Sequence, residues 1–231
     1  AGLTESEKRD AVSTLATRAE YAMALLGAVE AKAVPAKDLS TFTARQLSGL
    51  KNAAVQKKLE LVWGSVRPTS GDKAKLVAEY RSQLSAEALG QADRSQGRLV
   101  YSRICGNCHR LFDDGRAVGP ELTGSQRKSV EYLLENLIDP SAVVGRDYRL
   151  SVLTTTDGRV LTGIVKQENE NAVVLLTAND QVSVPRDEIE ERVQQTVSLM
   201  PEGVLQKLSP TEIRDLFGYI AGDAQAPLPA P

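Results

Sequence analysis

One histidine, two cysteines, two methionines and one tryptophan are all that 231 residues hold of those four types. A structural zinc site takes four Cys or His side chains. With three in the chain, such a site would have to recruit a carboxylate. No apolar run approaches the ~20 residues of a membrane-spanning helix. A charge excess of one sign is missing too: 28 Lys and Arg face 30 Asp and Glu. Residues 1–90 hold 13 basic and 10 acidic side chains and residues 91–231 hold 15 and 20, so neither part has the footprint of nucleic-acid binding. No signal peptide is visible at Ala1, so the sequence reads as a mature form or an excised fragment. The composition left after these exclusions is that of a globular protein, and the length fits one large or two modest domains.

Both cysteines and the histidine fall within five residues, Cys105-Gly106-Asn107-Cys108-His109. A Cys-x-x-Cys-His run reads as a c-type haem attachment site. Thiols three residues apart lie on one face of a helical turn, so each can add to one vinyl group of the same porphyrin. His109 is then carried under the ring, where its imidazole can bind iron as the proximal ligand. Two other chemistries compete: zinc with a recruited carboxylate, and a thioredoxin-like dithiol. The dithiol expects a βαβ context, whereas the residues before Cys105 read as helix. Haem c is attached outside the cytoplasm, so the haem reading implies a periplasmic or otherwise exported protein.

Residues 4–33 read as one long helix. Thr4 and Glu7 make a capping box, and Val12, Leu15, Ala19, Met23, Leu26 and Val29 recur at helical spacing. Residues 39–50 form a second helix. Asn52 caps a third that runs to Trp63, and Asp72 starts a fourth through Leu84. Residues 1–90 therefore read as a helical, repeat-like platform. A second domain over 91–225 opens with a helix from Asp93 to Ile104, which presents Gly97, Val100 and Tyr101 on one face and delivers the cysteine turn. Another helix covers 129–138 and stops at Asp139-Pro140. Between 150 and 190 the texture turns to β, with strands expected at 151–156, 159–167, 172–178 and 181–184. Turn chemistry at Asp157-Gly158, 168–171 and Asn179-Asp180 separates them. Ser209-Pro210 opens a last helix through Ile213, Leu216, Phe217 and Ile220, and residues 226–231 read as a frayed tail. The expected fold is mainly α, with a small antiparallel β element inserted.

A haem iron has two axial positions, and a single histidine excludes bis-histidine ligation within the chain. Met23 and Met200 are the available thioethers. Met23 sits on the apolar face of the first helix and reads as core. Met200 lies in Ser198-Leu199-Met200-Pro201, where Pro201 stiffens the loop. Met200 is the expected distal ligand, against the alternative of a loop methionine packed on the sheet. Thioether ligation and apolar burial both favour reduced iron. Two protein ligands leave no open site for a substrate, which points to electron transfer over catalysis.

The stretches Gly97 to Tyr101, Cys105 to His109, Gly119-Pro120-x-Leu122-x-Gly124, Met200-Pro201 and the terminal helix to Tyr219 resemble monohaem class I cytochrome c. That resemblance implies the class I cytochrome c fold, with Pro120 O accepting the His109 ring N–H. It also implies crossed first and last helices that set Gly97 and Tyr101 against Phe217 or Tyr219. The chain departs from the family in the long interval between His109 and Met200, where residues 150–190 read as an insertion. A narrower resemblance covers nearly the whole sequence, through Leu61-Val62-Trp63-Gly64 and residues 119–124, 133–148, 155–163 and 198–203. These are similar to the haem-binding C-terminal region of large secreted bacterial proteins that carry a sugar-dehydrogenase-like β-propeller and helical repeats ahead of it. The likeness implies that residues 1–90 are the last helical repeats. Haem propionates need partners, and Arg146 and Tyr148 are the favoured candidates, ahead of Arg127, Arg149 and Trp63.

Three functions follow. The first is an exported electron carrier with one covalent haem c, ligated by His109 and Met200 and supplied by a linked or partner dehydrogenase. The second is a five-coordinate, peroxidase-like haem enzyme, poorly equipped for acid–base work without a distal histidine. The third is a protein-interaction module that haem merely stabilises.

Overall fold

Thr4 opens the first helix with the expected capping box: Glu7 N–H donates to its hydroxyl at 3.3 Å, and its own N–H donates to the Glu7 carboxylate at 2.8 Å. The computed structural model describes residues 2–177 and 180–229. It divides into two units, residues 1–68 with 142–146, and residues 69–141 with 147–231.

The expected long helix is two helices, α1 (Glu5–Leu15) and α2 (Ala19–Glu30). At the break, the Thr17 N–H and hydroxyl both turn back onto the Thr14 carbonyl, at 3.2 and 2.7 Å. The apolar spacing runs on across the break because both helices feed one core, through Val12 and Ala16 and then Ala22, Leu25, Leu26 and Val29. The buried face of α2 is formed by Ala22, Leu25, Leu26 and Val29, and Met23 lies off it, 37% exposed, contrary to its expected place in the core. Ser40 caps α3 (Thr41–Gly49), and Asn52 caps α4 (Ala53–Val62). The indole N–H of buried Trp63 donates to Leu39 O at 2.8 Å. A short strand, β1 (Gly64–Val66), completes this stretch.

The boundary expected near residue 90 falls instead after Pro68, because α5 (Gly71–Gln83) and α6 (Ala86–Gly90) pack within the second unit. Asp93 then caps α7 (Arg94–Ile104), accepting from Ser95 N–H and Gln96 N–H at 2.9 and 3.1 Å. A tight hairpin follows, of β2 (Arg110–Leu111) and β3 (Asp114–Gly115). Its central residues Phe112 and Asp113 both have positive φ, 51° and 65°, as a primed two-residue turn requires. After α8 (Val130–Ile138), β4 (Val143–Gly145) pairs antiparallel with β1, which assigns residues 142–146 to the first unit.

The fold is not mainly α with a small inserted β element, the fold expected from the sequence. The structure is 46% helical and 21% strand, and its second unit contains a five-stranded antiparallel sheet. The strands are β5 (Arg149–Thr155), β6 (Val160–Glu168), β7 (Ala172–Leu176), β8 (Gln181–Pro185) and β9 (Ile189–Ser198), in the order β8-β7-β6-β5-β9. The first four match the expected segments, except that Ala178 and Asn179 lie outside the described residues. The fifth strand was not expected. It adds to the free edge of β5, with Val152 opposite Val193 and Leu153 opposite Arg192. One face of the sheet closes over Leu153, Val173, Leu175 and Val184, which are almost fully buried.

The last helix, α9 (Pro210–Ala221), begins with a second capping box of Ser209 and Glu212. Helices α7 and α9 cross at Gly97. A Cβ on Gly97 would meet the Asp215 carbonyl and come within 2.8 Å of Tyr219 Cβ. The Tyr101 and Tyr219 rings lie 5.4 Å apart at the same crossing. Gly97→Ala is therefore expected to prise the two helices apart and destabilise the fold by about 1–3 kcal/mol, as overpacking does; a urea midpoint at or above wild type would contradict this. The expected frayed tail is tied down as far as Ala226, which is 5% exposed. Arg94 donates to Ala224 O at 2.6 Å and Arg98 to Ala226 O at 2.7 Å.

Candidate functional site

Helix α7 ends in the cysteine turn. Cys105 N–H and Gly106 N–H both donate to the Tyr101 carbonyl, at 2.7 and 2.8 Å, and Cys108 N–H and His109 N–H donate to the Cys105 carbonyl, at 3.0 and 2.8 Å. The two cysteines thus sit on one tight turn. The β2–β3 hairpin brings the chain back across the motif. Arg116 N–H reaches Gly106 O at 2.9 Å, and Val118 N–H and Gly119 N–H reach Cys108 O at 3.0 and 2.7 Å. Gly115 makes the return with φ of +100°, close against the His109 carbonyl.

The His109 ring is held by backbone. Its Nδ1 lies 2.8 Å from Pro120 O. A carbonyl can only accept, so Nδ1 carries the hydrogen and Nε2 carries the lone pair. Gly119 lies flat against the ring: a Cβ there would be 2.6 Å from Cε1, 3.0 Å from Nδ1 and 3.1 Å from Nε2. The Tyr101 hydroxyl donates to His109 O at 2.8 Å and fixes the residue from the other side. Burial pushes the imidazole below the ordinary histidine range and outweighs the opposing effects of the Pro120 carbonyl and the Glu121 charge. The ring is therefore neutral at pH 7, the state a metal ligand requires.

Cys105 is buried, and burial reinforced by the neighbouring Cys108 pushes its thiol up to about 12. Cys108 is half-buried against an apolar wall of Val118, Ile164 and Leu176, with Tyr148 and Leu199 beside them. Ile164 and Leu176 are cross-strand partners on β6 and β7. The sheet therefore supplies one side of the site, a role that residue types alone did not reveal.

Met200 is half-buried on the core that contains Cys105, Leu133, Leu134, Leu137 and Leu205. Its N–H donates to the Ser198 hydroxyl at 3.1 Å. Since β9 ends at Ser198, the sheet's last strand leads directly into the Met200 segment.

Tyr148 packs on the wall beside Cys108, and burial raises its hydroxyl above the ordinary tyrosine range. Three of the other propionate candidates, Arg146, Trp63 and Arg127, are engaged elsewhere. Arg146 belongs to the first unit, where its guanidinium donates to the Leu61 carbonyl and its N–H to Trp63 O at 2.7 Å. Trp63 lies in the same unit, bonded to Leu39. Arg127, 7% exposed, donates to Thr123 O at 3.0 Å, to Ile220 O at 2.6 Å and to the Gly222 carbonyl, and stacks over Phe112 at 4.7 Å. It closes the carbonyl end of α9, where a cation opposes the helix dipole favourably.

Among the described residues, no three His, Cys, Asp or Glu side chains form a group able to hold a metal ion, so no carboxylate completes a zinc set with Cys105, Cys108 and His109. No helix among them is long and apolar enough to cross a membrane. No family model matches the sequence, and no curated protein matches it.

Proposed function

We propose that this chain is an exported monohaem c-type cytochrome that carries single electrons. Bound haem c supplies a ferric/ferrous couple. Cys105 and Cys108 would hold it through thioethers, with His109 as proximal and Met200 as distal ligand. The donor set fits the group, and one observation carries the reading: the chain's single histidine, next to its two thiols, is held neutral with Nδ1–H on Pro120 and Nε2 available. A carbonyl partner of this kind fixes the tautomer and orientation of a ligating histidine.

Two further features favour haem over the rival chemistries. Dithiol exchange and zinc binding both use thiolates, and the Cys105 thiol is buried and pushed up to about 12. The wall of Val118, Ile164 and Leu176 excludes water, and a water-poor surrounding disfavours the extra positive charge of ferric iron. The protein's contribution is then to hold two axial ligands and a dry wall, which suits an electron carrier better than an enzyme. Its donor would be a linked dehydrogenase domain or a partner dehydrogenase, and its compartment the periplasm, where the covalent group is installed.

A reductive titration of the haem-loaded protein tests this reading. One reversible electron per chain is expected, with no carbon monoxide bound by the reduced form within minutes. Rapid carbon monoxide binding would mean an open coordination position and would favour a peroxidase-like enzyme instead.

A further inference from the structure

Two residues before Met200, the Ser198 N–H donates to the Ser141 hydroxyl at 3.2 Å. Two residues after it, the Glu202 carboxylate meets Lys73 Nζ at 2.5 Å, and the same ammonium meets Asp139 Oδ1 at 2.8 Å. Asp139-Pro140-Ser141, the elbow that ends α8, thus grips both shoulders of the Met200 segment, one of them through Lys73.

The placement of these charges is informative. Lys73 lies in the first turn of α5, where a cation opposes the helix dipole, and Asp139 is the C-cap of α8, where an anion does the same. Each is unfavourable on its own helix, and each is matched by the other. Asp139 is fully buried, Lys73 is about a quarter exposed and Glu202 about half exposed. The well-ordered end of this chain of charges is therefore the elbow, and Glu202 is the member it holds. Leu205, 1% exposed, anchors the segment farther along. Between Ser198 and Leu205, the Lys73–Glu202 pair is the charged tie the structure provides to the stretch carrying Met200.

We propose that Lys73 is a positioning residue for the distal ligand: bridging Asp139 and Glu202, it holds the Met200-Pro201 segment closed against the iron position. This rests on the reading of Met200 as the distal ligand. Lys73 bonds to Asp139 and Glu202, and acts by setting how often the segment lifts away.

The test uses the ferric haem-loaded chain, with cyanide as the probe, because cyanide must displace the thioether to bind. The red-edge sulfur-to-iron charge-transfer band reports the same bond independently. Lys73→Met is expected to weaken the band and speed cyanide binding roughly fivefold, and Glu202→Gln roughly threefold, the range a partly exposed ion pair supports. Lys73→Arg should restore near wild-type behaviour. Lys75→Met, two residues along the same helix at an exposed lysine, should change nothing. If Lys73→Met fails to fold because buried Asp139 loses its cation, Glu202→Gln decides the question. Wild-type cyanide rates in both Lys73→Met and Glu202→Gln would overturn the role of Lys73 while leaving Met200 as ligand. A wild-type protein with no charge-transfer band would overturn both.

Discussion

In the haem-loaded chain proposed above, Gly119→Ala is expected to disturb the iron's ligand field. The added Cβ would lie 2.6 Å from His109 Cε1, and neither backbone is free to retreat. Gly119 N–H is bonded to Cys108 O at 2.7 Å and His109 N–H to Cys105 O at 2.8 Å, while the Tyr101 hydroxyl holds His109 O. The ring must therefore rotate, and rotation breaks the Nδ1–Pro120 bond that fixes its tautomer. Overpacking of this kind destabilises by about 1–3 kcal/mol, and the lost hydrogen bond adds about 1 kcal/mol. The haem-loaded variant should show a mixed- or high-spin ferric spectrum and a lower thermal midpoint. A spectrum and midpoint equal to wild type would mean that the ring contact is not what orients the histidine.

Met200→Ala is expected to produce the largest change in redox behaviour. A thioether favours reduced iron, so its removal lowers the midpoint potential, by on the order of 0.1 V within the span that axial ligands command. The red-edge band should vanish and the reduced protein should bind carbon monoxide promptly. The fold should survive, because Met200 is half-buried at the margin of its core, with Leu205 carrying the deeper anchorage. Met23→Ala is the control: that side chain is outward-facing in the first unit. If Met200→Ala left band and potential unchanged, Met200 would be a packing residue and the distal ligand would have to be sought elsewhere.

The parts of this structure that single residues encode were legible in the sequence. Thr4 with Glu7, Asn52 and Ser209 cap the helices they were expected to cap, because a cap is a local hydrogen bond between a side chain and the next turn. The Pro120 carbonyl on His109 and the packing of Tyr101 on Tyr219 were anticipated from resemblance, and both contacts are present. The division of residues 4–33 into two helices was not legible, because the apolar spacing persists where both helices share a core. Strand β9 was missed for a different reason. Ile-Glu-Glu-Arg-Val-Gln-Gln-Thr-Val-Ser is an edge strand with almost every side chain in solvent, so it lacks the apolar alternation that marks a half-buried strand. Without β9 the sheet reads as an appendage, whereas its last strand leads into the Met200 segment. The role of Arg127 is not legible because type alone suggests a carboxylate partner, and only the fold brings Ile220 and Gly222 to its guanidinium. The wall beside Cys108 is tertiary in the same sense: Val118, Ile164, Leu176 and Leu199 come from four separate segments.

The most direct test of the central claim is to produce the chain in a host able to attach haem c and to record its intact mass and its absorption in both oxidation states. The account predicts a mass increase of one haem that survives denaturation, sharp low-spin bands on reduction, and the red-edge thioether band in the ferric form. A protein that emerges from such a host with its apo mass and two titratable thiols would contradict it.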